Sequence, residues 1–258
     1  MASLSELRDA LQQRLLTFLF RGSESSSLVL KGGGAMRVIT ESARYTQDLD
    51  FDHDPRRSLA SLQKTIRSAI DRALKGSGLV DVSVTAPKQT DTVTRWKVSG
   101  RTELGLLLQL TVEVSRRARP DNDHVVKIPI QVSDLTLPRV YVSVYDDQAL
   151  ANQKLAALLD ARRTAVRDLY DLELLFARGI CPGVHVVEAL GGAEFVARGI
   201  AAKLDLMDWA AFRDQVLPSL PGEIRAHLDE DEYLEMKVRL LSGLDRCIGT
   251  PSGSRTDR

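Results

Sequence analysis

The chain holds only two cysteines and four histidines in 258 residues, too few for a disulfide framework or for the common zinc centres. Cys181 and Cys247 have no cysteine or histidine at metal-ligand spacing, so they read as separate core or surface thiols. His53, His124, His185 and His227 are scattered, which leaves a Ser-His-Asp triad without support as well. His53 alone falls beside acidic residues, and it is read as a surface side chain. No apolar run approaches the roughly 18 residues that a membrane span requires. Glu6, Arg8 and Asp9 interrupt the N-terminal leucines, unlike a secretory signal. The expectation is a cytoplasmic location with no membrane partner. Neither sign of charge dominates: 35 basic and 35 acidic residues give a formal net charge of zero, which removes the bulk basicity that announces many nucleic-acid binders. Any RNA contact is then local, with Arg116, Arg117 and Arg119, or Arg162, Arg163 and Arg167, as candidate patches. Solvated surface is the simpler reading of the first. Internal repeats and low-complexity segments are absent too.

What is present is a core-forming apolar fraction of 43% with two changes of period. Leu4, Leu7, Leu11, Leu15 and Phe18 recur at helical spacing behind a capping box, Ser3 to Glu6. A short strand, Leu28 to Leu30, precedes three glycines. Leu59, Leu62, Ile66 and Ile70 form a second helical stripe that ends at Gly76 and Gly78. Then the period becomes two, through Val80, Val82 and Val84, Thr92 to Val98, and Leu106 to Val114. Further strands are expected over Val125 to Val132 and Val140 to Val144, with Pro129 and Pro138 marking edges or ends. From Tyr145 onward the pattern is helical. The expected organisation is residues 1–145 as one domain, 146–249 as a helical one, and a small polar tail over 250–258, read as disordered.

Chemistry concentrates in Lys31-Gly32-Gly33-Gly34 and in Arg44-Tyr45-Thr46-Gln47-Asp48-Leu49-Asp50. Asp48 and Asp50 are two apart on a predicted strand, so they share a face and can share a divalent cation, while Leu49 and Phe51 turn to a core. Magnesium takes hard oxygen ligands and is usually held by one or two carboxylates with substrate phosphates. Glycines without Cβ atoms let backbone N–H groups approach a triphosphate, and Lys31 adds a positive charge. Taken singly these signals are weak, because glycine runs occur in loops and Asp-x-Asp on solvated strand ends; their joint occurrence is what points to phosphate and metal. Glu113, on the polar face of the Leu106 to Val114 strand, is a candidate third carboxylate, or an ordinary solvent-side glutamate. In the helical half Asp168 and Asp171 lie one turn apart beside Arg167, where a structural ion-pair network is the simpler reading.

Together these residues resemble the AbiEii/AbiGii (MenT-like) nucleotidyltransferase toxins of bacterial toxin–antitoxin and abortive-infection systems. The family pattern is a Lys-Gly-Gly-Thr turn, an Arg-x-Ser-x-Asp-x-Asp strand, a carboxylate on a later strand, and a helical lysine followed by Arg-Asp-x-x-Asp. Lys31-Gly32-Gly33, then Arg44, Thr46, Asp48 and Asp50, then Glu113, Lys154, and Arg167-Asp168 with Asp171 match it, over roughly residues 28–176. Gly34 replaces the usual threonine, and Thr46 the usual serine. The resemblance implies an α+β fold: a polymerase-beta-like nucleotidyltransferase core, with a mixed sheet and flanking helices, plus a helical C-terminal domain. It implies Mg²⁺-dependent use of an NTP, transfer of nucleotides to the 3′ acceptor end of tRNA, and a cognate antitoxin as protein partner. On that reading Asp48, Asp50 and Glu113 hold one or two Mg²⁺ ions, and Glu113 positions the attacking hydroxyl. Lys31, Gly32, Gly33, Gly34, Arg44 and Thr46 surround the NTP, Lys154 neutralises its triphosphate, and Asp168 is functionally required. An unbroken helix would hold Lys154 and Asp168 about 21 Å apart at 1.5 Å per residue. For the two to share one nucleotide the helix must break between Asp160 and Thr164, with Thr164 a candidate N-cap. Two other functions compete: an interaction module that binds GTP or another NTP without transferring it, and an enzyme of the same fold that modifies a small molecule such as an antibiotic.

Overall fold

The computed structural model describes residues 3–130, 132, 136–164 and 166–249. The chain divides into two compact units, one ending at Asp146 and the other beginning at Asp147.

The first unit is built on one mixed sheet. Its strands are β1 (Leu28–Lys31), β2 (Asp48–His53), β3 (Val80–Gln89), β4 (Val93–Arg101), β5 (Leu107–Ser115), β6 (Val125–Ile130) and β7 (Val140–Tyr145). The spatial order is β3-β4-β5-β2-β1-β7-β6. Strand β2 is central, antiparallel to β1 and parallel to β5. Its residues alternate half-buried and buried from Asp48 to His53, so one sheet face carries Leu49, Phe51 and His53 and the other Asp48, Asp50 and Asp52. The apolar face is covered by helices α1 (Leu4–Phe20), α2 (Gly32–Thr40) and α3 (Leu59–Leu74). Phe20 of α1 meets Phe51, with ring centroids 6.3 Å apart. Leu30, Leu49, Leu62, Ile66, Val112 and Val114 are buried in this layer.

Local signals explain the boundaries. Both bonds of the Ser3/Glu6 capping box are formed at the start of α1, and the Ser58 side chain caps α3. Gly76 and Gly78 follow α3 with φ of +77° and +72°, the left-handed conformation that glycine adopts without a Cβ clash. Pro129 lies within β6, at a sheet edge where a missing N–H costs no ladder bond. Strand β3, at the opposite edge, departs from its pattern: Val80 and Val82 are 52% and 41% exposed. Register shifts between Val80 and Ser83 and between Thr85 and Lys88 break the alternation there.

Two histidine and cysteine expectations are corrected. His53 is fully buried rather than superficial, 3.3 Å from Glu24, whose carboxylate also accepts from Ser27 and Ser61. Burial pushes its imidazole pKa below the ordinary 6.5, with Glu24 opposing that shift. Cys181 and Cys247 are joined in a disulfide, with Cα atoms 5.3 Å apart, across a sequence separation of 66. Such a pairing comes from the return of a distant helix, which spacing along the chain cannot show.

The second unit is helical: α4 (Asp147–Leu159), α5 (Val166–Ala177), α6 (Val184–Ala189), α7 (Ala193–Leu206), α8 (Trp209–Gln215), α9 (Gly222–Arg225) and α10 (Glu230–Ile248). Its core runs from Leu155 and Leu169 through Phe212 to Tyr233, Leu240 and Leu244. Gly243 lets α10 approach α5 closely, since a Cβ there would lie 2.6 Å from that of Phe176. The expected tail, 250–258, lies outside the described residues. Among the described residues no helix is long and apolar enough to cross a membrane.

Candidate active site

The three glycines open helix α2 directly from the end of β1. Lys31 is its N-cap and supplies no side-chain cap bond, so no side chain of the N-cap occupies the first N–H groups, which point toward the helix start. Gly32 has φ of +63°, and a Cβ on it would lie 3.1 Å from Asp50 Oδ2. A Cβ at Gly33 would lie 2.8 Å from Thr46 Oγ1 and 3.3 Å from an Arg44 guanidinium nitrogen. At these two positions the backbone comes too close to the acidic segment for a larger residue. Gly34 serves the opposite face, against Leu30 and Leu49. A Cβ there would lie 3.1 Å from a Leu49 methyl and 3.2 Å from a Leu30 methyl, so a threonine at this position needs those leucines to shift.

Residues 41–47 lead into β2 and are tied from both sides. The Gln12 side-chain amide donates to the Thr46 carbonyl at 3.1 Å. The Thr46 hydroxyl donates to the Asp48 carbonyl at 3.1 Å. Arg44 and Thr46 are both buried, so they support the strand entry and the glycine backbone from beneath.

The ladder then arranges charge across the sheet. Asp50 pairs with Lys31 on β1 and with Glu113 on β5, and Glu113 pairs with Arg95 on β4. One rung therefore reads Lys31, Asp50, Glu113, Arg95, with the side chains on the face opposite α1 and α3. Arg95 Nε donates to Glu113 Oε2 at 2.6 Å, and its terminal nitrogen contacts the same oxygen. Lys31 Nζ donates to Asp52 Oδ1 at 2.6 Å, and the Tyr145 hydroxyl to Asp52 Oδ2 at 2.9 Å. Burial, with the Asp52 charge added, pushes the Tyr145 pKa well up, so it remains a donor. The expected positive charge of Lys31 is thus shared with Asp52. Neither Arg95 nor Tyr145 was legible as a site residue, although an antiparallel β4–β5 hairpin implies an opposite partner for Glu113.

Among the described residues no three His, Cys, Asp or Glu side chains converge as a metal cluster, because Glu113 turns to Arg95. Asp48 and Asp50 remain as a half-buried pair of hard oxygen donors. That set fits magnesium, which keeps waters and completes its shell from phosphates, and does not fit zinc, which takes three or four nitrogen or sulfur ligands.

In the second unit, α4 ends at Leu159 and α5 begins at Val166, so the helix breaks where geometry requires. The N-cap position before Val166 lies outside the described residues. Across the break Lys154 Nζ meets Asp168 Oδ1 at 2.8 Å and Asp171 Oδ2 at 2.6 Å. Arg163 reaches Asp168 at 3.2 Å. Burial alone lowers the Lys154 pKa, but the charges of Asp171 and Asp168 outweigh it and hold the ammonium above its ordinary value. Lys154 and Asp168 are brought together as expected, but as one buried ion cluster in which the lysine charge is matched by two carboxylates.

A family model described as the nucleotidyl transferase AbiEii toxin of a type IV toxin–antitoxin system matches residues 14–247. Among solved structures, JHP933 from Helicobacter pylori aligns with a TM-score of 0.62 at 21% identity, covering 96% of this chain and 94% of that one. MenT4, the nucleotidyltransferase toxin Rv2826c of Mycobacterium tuberculosis H37Rv, aligns with a TM-score of 0.56 at 21% identity, covering 96% and 85% respectively. At these identities the likeness shows the fold, the expected α+β sheet with a helical C-terminal half. No curated protein matches the chain.

Proposed function

The chain belongs to the AbiEii family of nucleotidyl transferase toxins, and from that premise we propose that it transfers a nucleotide from an NTP to the 3′ end of tRNA in a magnesium-dependent reaction, in the cytoplasm, and so blocks translation. The observation that carries the reading is the rung that sets Glu113 beside Asp50, with Asp48 one pleat away and the glycine start of α2 so close that a Cβ on Gly32 would lie 3.1 Å from Asp50 Oδ2. Asp48 and Asp50 would hold Mg²⁺, and when bound the ion supplies positive charge to the phosphate oxygens. The N–H groups at Gly32 and Gly33 bind phosphate oxygens, since a helix start favours anions. The acceptor hydroxyl oxygen forms a bond to the α-phosphorus as the α–β bridging bond breaks, and pyrophosphate leaves with that electron pair. Glu113, fixed in orientation by Arg95, takes the hydroxyl proton. Lys154 and Asp168 act through the integrity of the second unit, and a type IV toxin–antitoxin family implies a cognate antitoxin.

The test is incubation of the protein with Mg²⁺, total tRNA and each labelled NTP in turn. Label is expected on tRNA with one NTP or a few, and it is expected to fall at least about a thousandfold in the Asp48→Ala/Asp50→Ala protein, in line with loss of the main charge stabilisation at a phosphoryl centre. NTP binding without label on any RNA would instead support the binding-module function, and label on a small molecule the antibiotic-modifying one.

A further inference from the structure

The carboxylate strand does not end the chemistry of its sheet face. Beyond His53 the chain turns through Asp54, Pro55, Arg56 and Arg57, and beside this turn lies a cavity of about 490 Å³ lined in part by Val29, Asp54, Arg56, Arg57 and Arg119. Val29 is the ladder partner of Asp52, so the cavity adjoins the acidic row on the site's own face of the sheet. Three arginines against one aspartate leave a surplus of two positive charges in a chain whose net charge is zero.

The turn is built rather than loose. Arg116 is buried, and its guanidinium donates to the carbonyls of Pro55 at 3.0 Å, Arg57 at 2.6 Å and Asp91 at 3.3 Å. These bonds fix the backbone that carries Arg56 and Arg57. Arg56 grips Asp54 through three bonds of 2.6 to 3.2 Å, which neutralises the one acid there. Arg57 and Arg119 are exposed, and neither guanidinium is bonded to a carboxylate among the described residues.

We propose that this arginine-lined cavity binds the phosphodiester backbone of an RNA acceptor, a few nucleotides before the 3′ end that reacts at Asp48 and Asp50. The inference rests on nucleotidyl transfer for the identity of the acceptor and adds where that acceptor is held. Asp54 lies four residues past Asp50, about 13 Å along an extended chain. A stacked strand advances about 3.4 Å per nucleotide, so roughly four nucleotides span the gap. A triphosphate bound at the glycines is too short to reach these arginines, and a small-molecule acceptor has no phosphates to place there.

The experiment measures binding of labelled single-stranded RNA, a 12-mer and a dinucleotide, to the full chain and to an Arg57→Glu/Arg119→Glu variant as salt is raised. Both side chains are exposed, so the variant is expected to fold, and circular dichroism checks that it does. In the variant the 12-mer should bind at least about tenfold more weakly, with the log–log salt slope reduced by about 1.4 for two lost phosphate contacts. The dinucleotide and Mg-NTP should bind the two proteins equally. Unchanged 12-mer affinity and slope, or a matching loss for Mg-NTP, would overturn the proposal. The labelling assay on the unmodified protein separates the two conclusions: arginine-dependent RNA binding by an unmodified chain that transfers no nucleotide would leave the cavity assigned and remove the transfer reaction.

Discussion

Gly32 is the residue on which two constraints meet, a φ of +63° and a 3.1 Å approach to Asp50. An alanine there holds a left-handed backbone at a cost of about 1–2 kcal/mol and presses its methyl group on the carboxylate. Gly32→Ala is expected to lose that much stability in urea unfolding and at least about tenfold in the rate of nucleotide transfer, because small misplacements of reacting groups are costly. A variant with wild-type rate would show that the alignment of Asp50 does not depend on this contact. At this scale the sequence was informative where position dictates a residue type: glycine at the close approach to Asp50, carboxylates in alternation on β2. It was silent on Arg95 and on the Lys31–Asp52–Tyr145 link, because those partners are chosen by register and by the reach of long side chains, neither of which composition records.

Elements were legible where period and cap agree, as in α1 with its capping box and β2 with its alternation. They were less so in β3, where register shifts override the pattern, and in α2, whose glycines read as a turn but begin a helix. The break between α4 and α5 was reached by a different argument, from the distance between two residues that had to meet. Its cost is visible in the buried cluster of Lys154, Asp168 and Asp171. Removing Lys154 strands two buried carboxylates, a loss of about 3–5 kcal/mol. Lys154→Met is therefore expected to destabilise the second unit by that amount in urea unfolding, with Lys154→Met/Asp171→Asn recovering part of it. A Lys154→Met protein of full stability that had lost transfer would place the lysine in the reaction instead.

For the whole molecule, the division near residue 146 follows the change from strand to helix pattern, whereas the Cys181–Cys247 bridge had no signal in the spacing. The bridge closes a loop of about 66 residues, and a cross-link of that length is worth about 4 kcal/mol in the chain-entropy treatment. Reductant is expected to speed hydrogen exchange across the helices from α4 to α10 and to leave the strands β1 to β5 unchanged. Identical exchange with and without reductant would show that the two thiols are unpaired in solution.

The order of the strands also sets a clock. Asp50 is neighboured on the sheet by Glu113, a residue synthesised 63 positions later (113 − 50), and β1 is closed on its other side by β7, near residue 144. Ribosomes add about 5–20 residues per second, so the acidic rung stays unassembled for roughly 3–13 s after Asp50 has been made. A growing chain therefore has no complete carboxylate rung until β5 has been made, and no closed β1 edge until β7 follows.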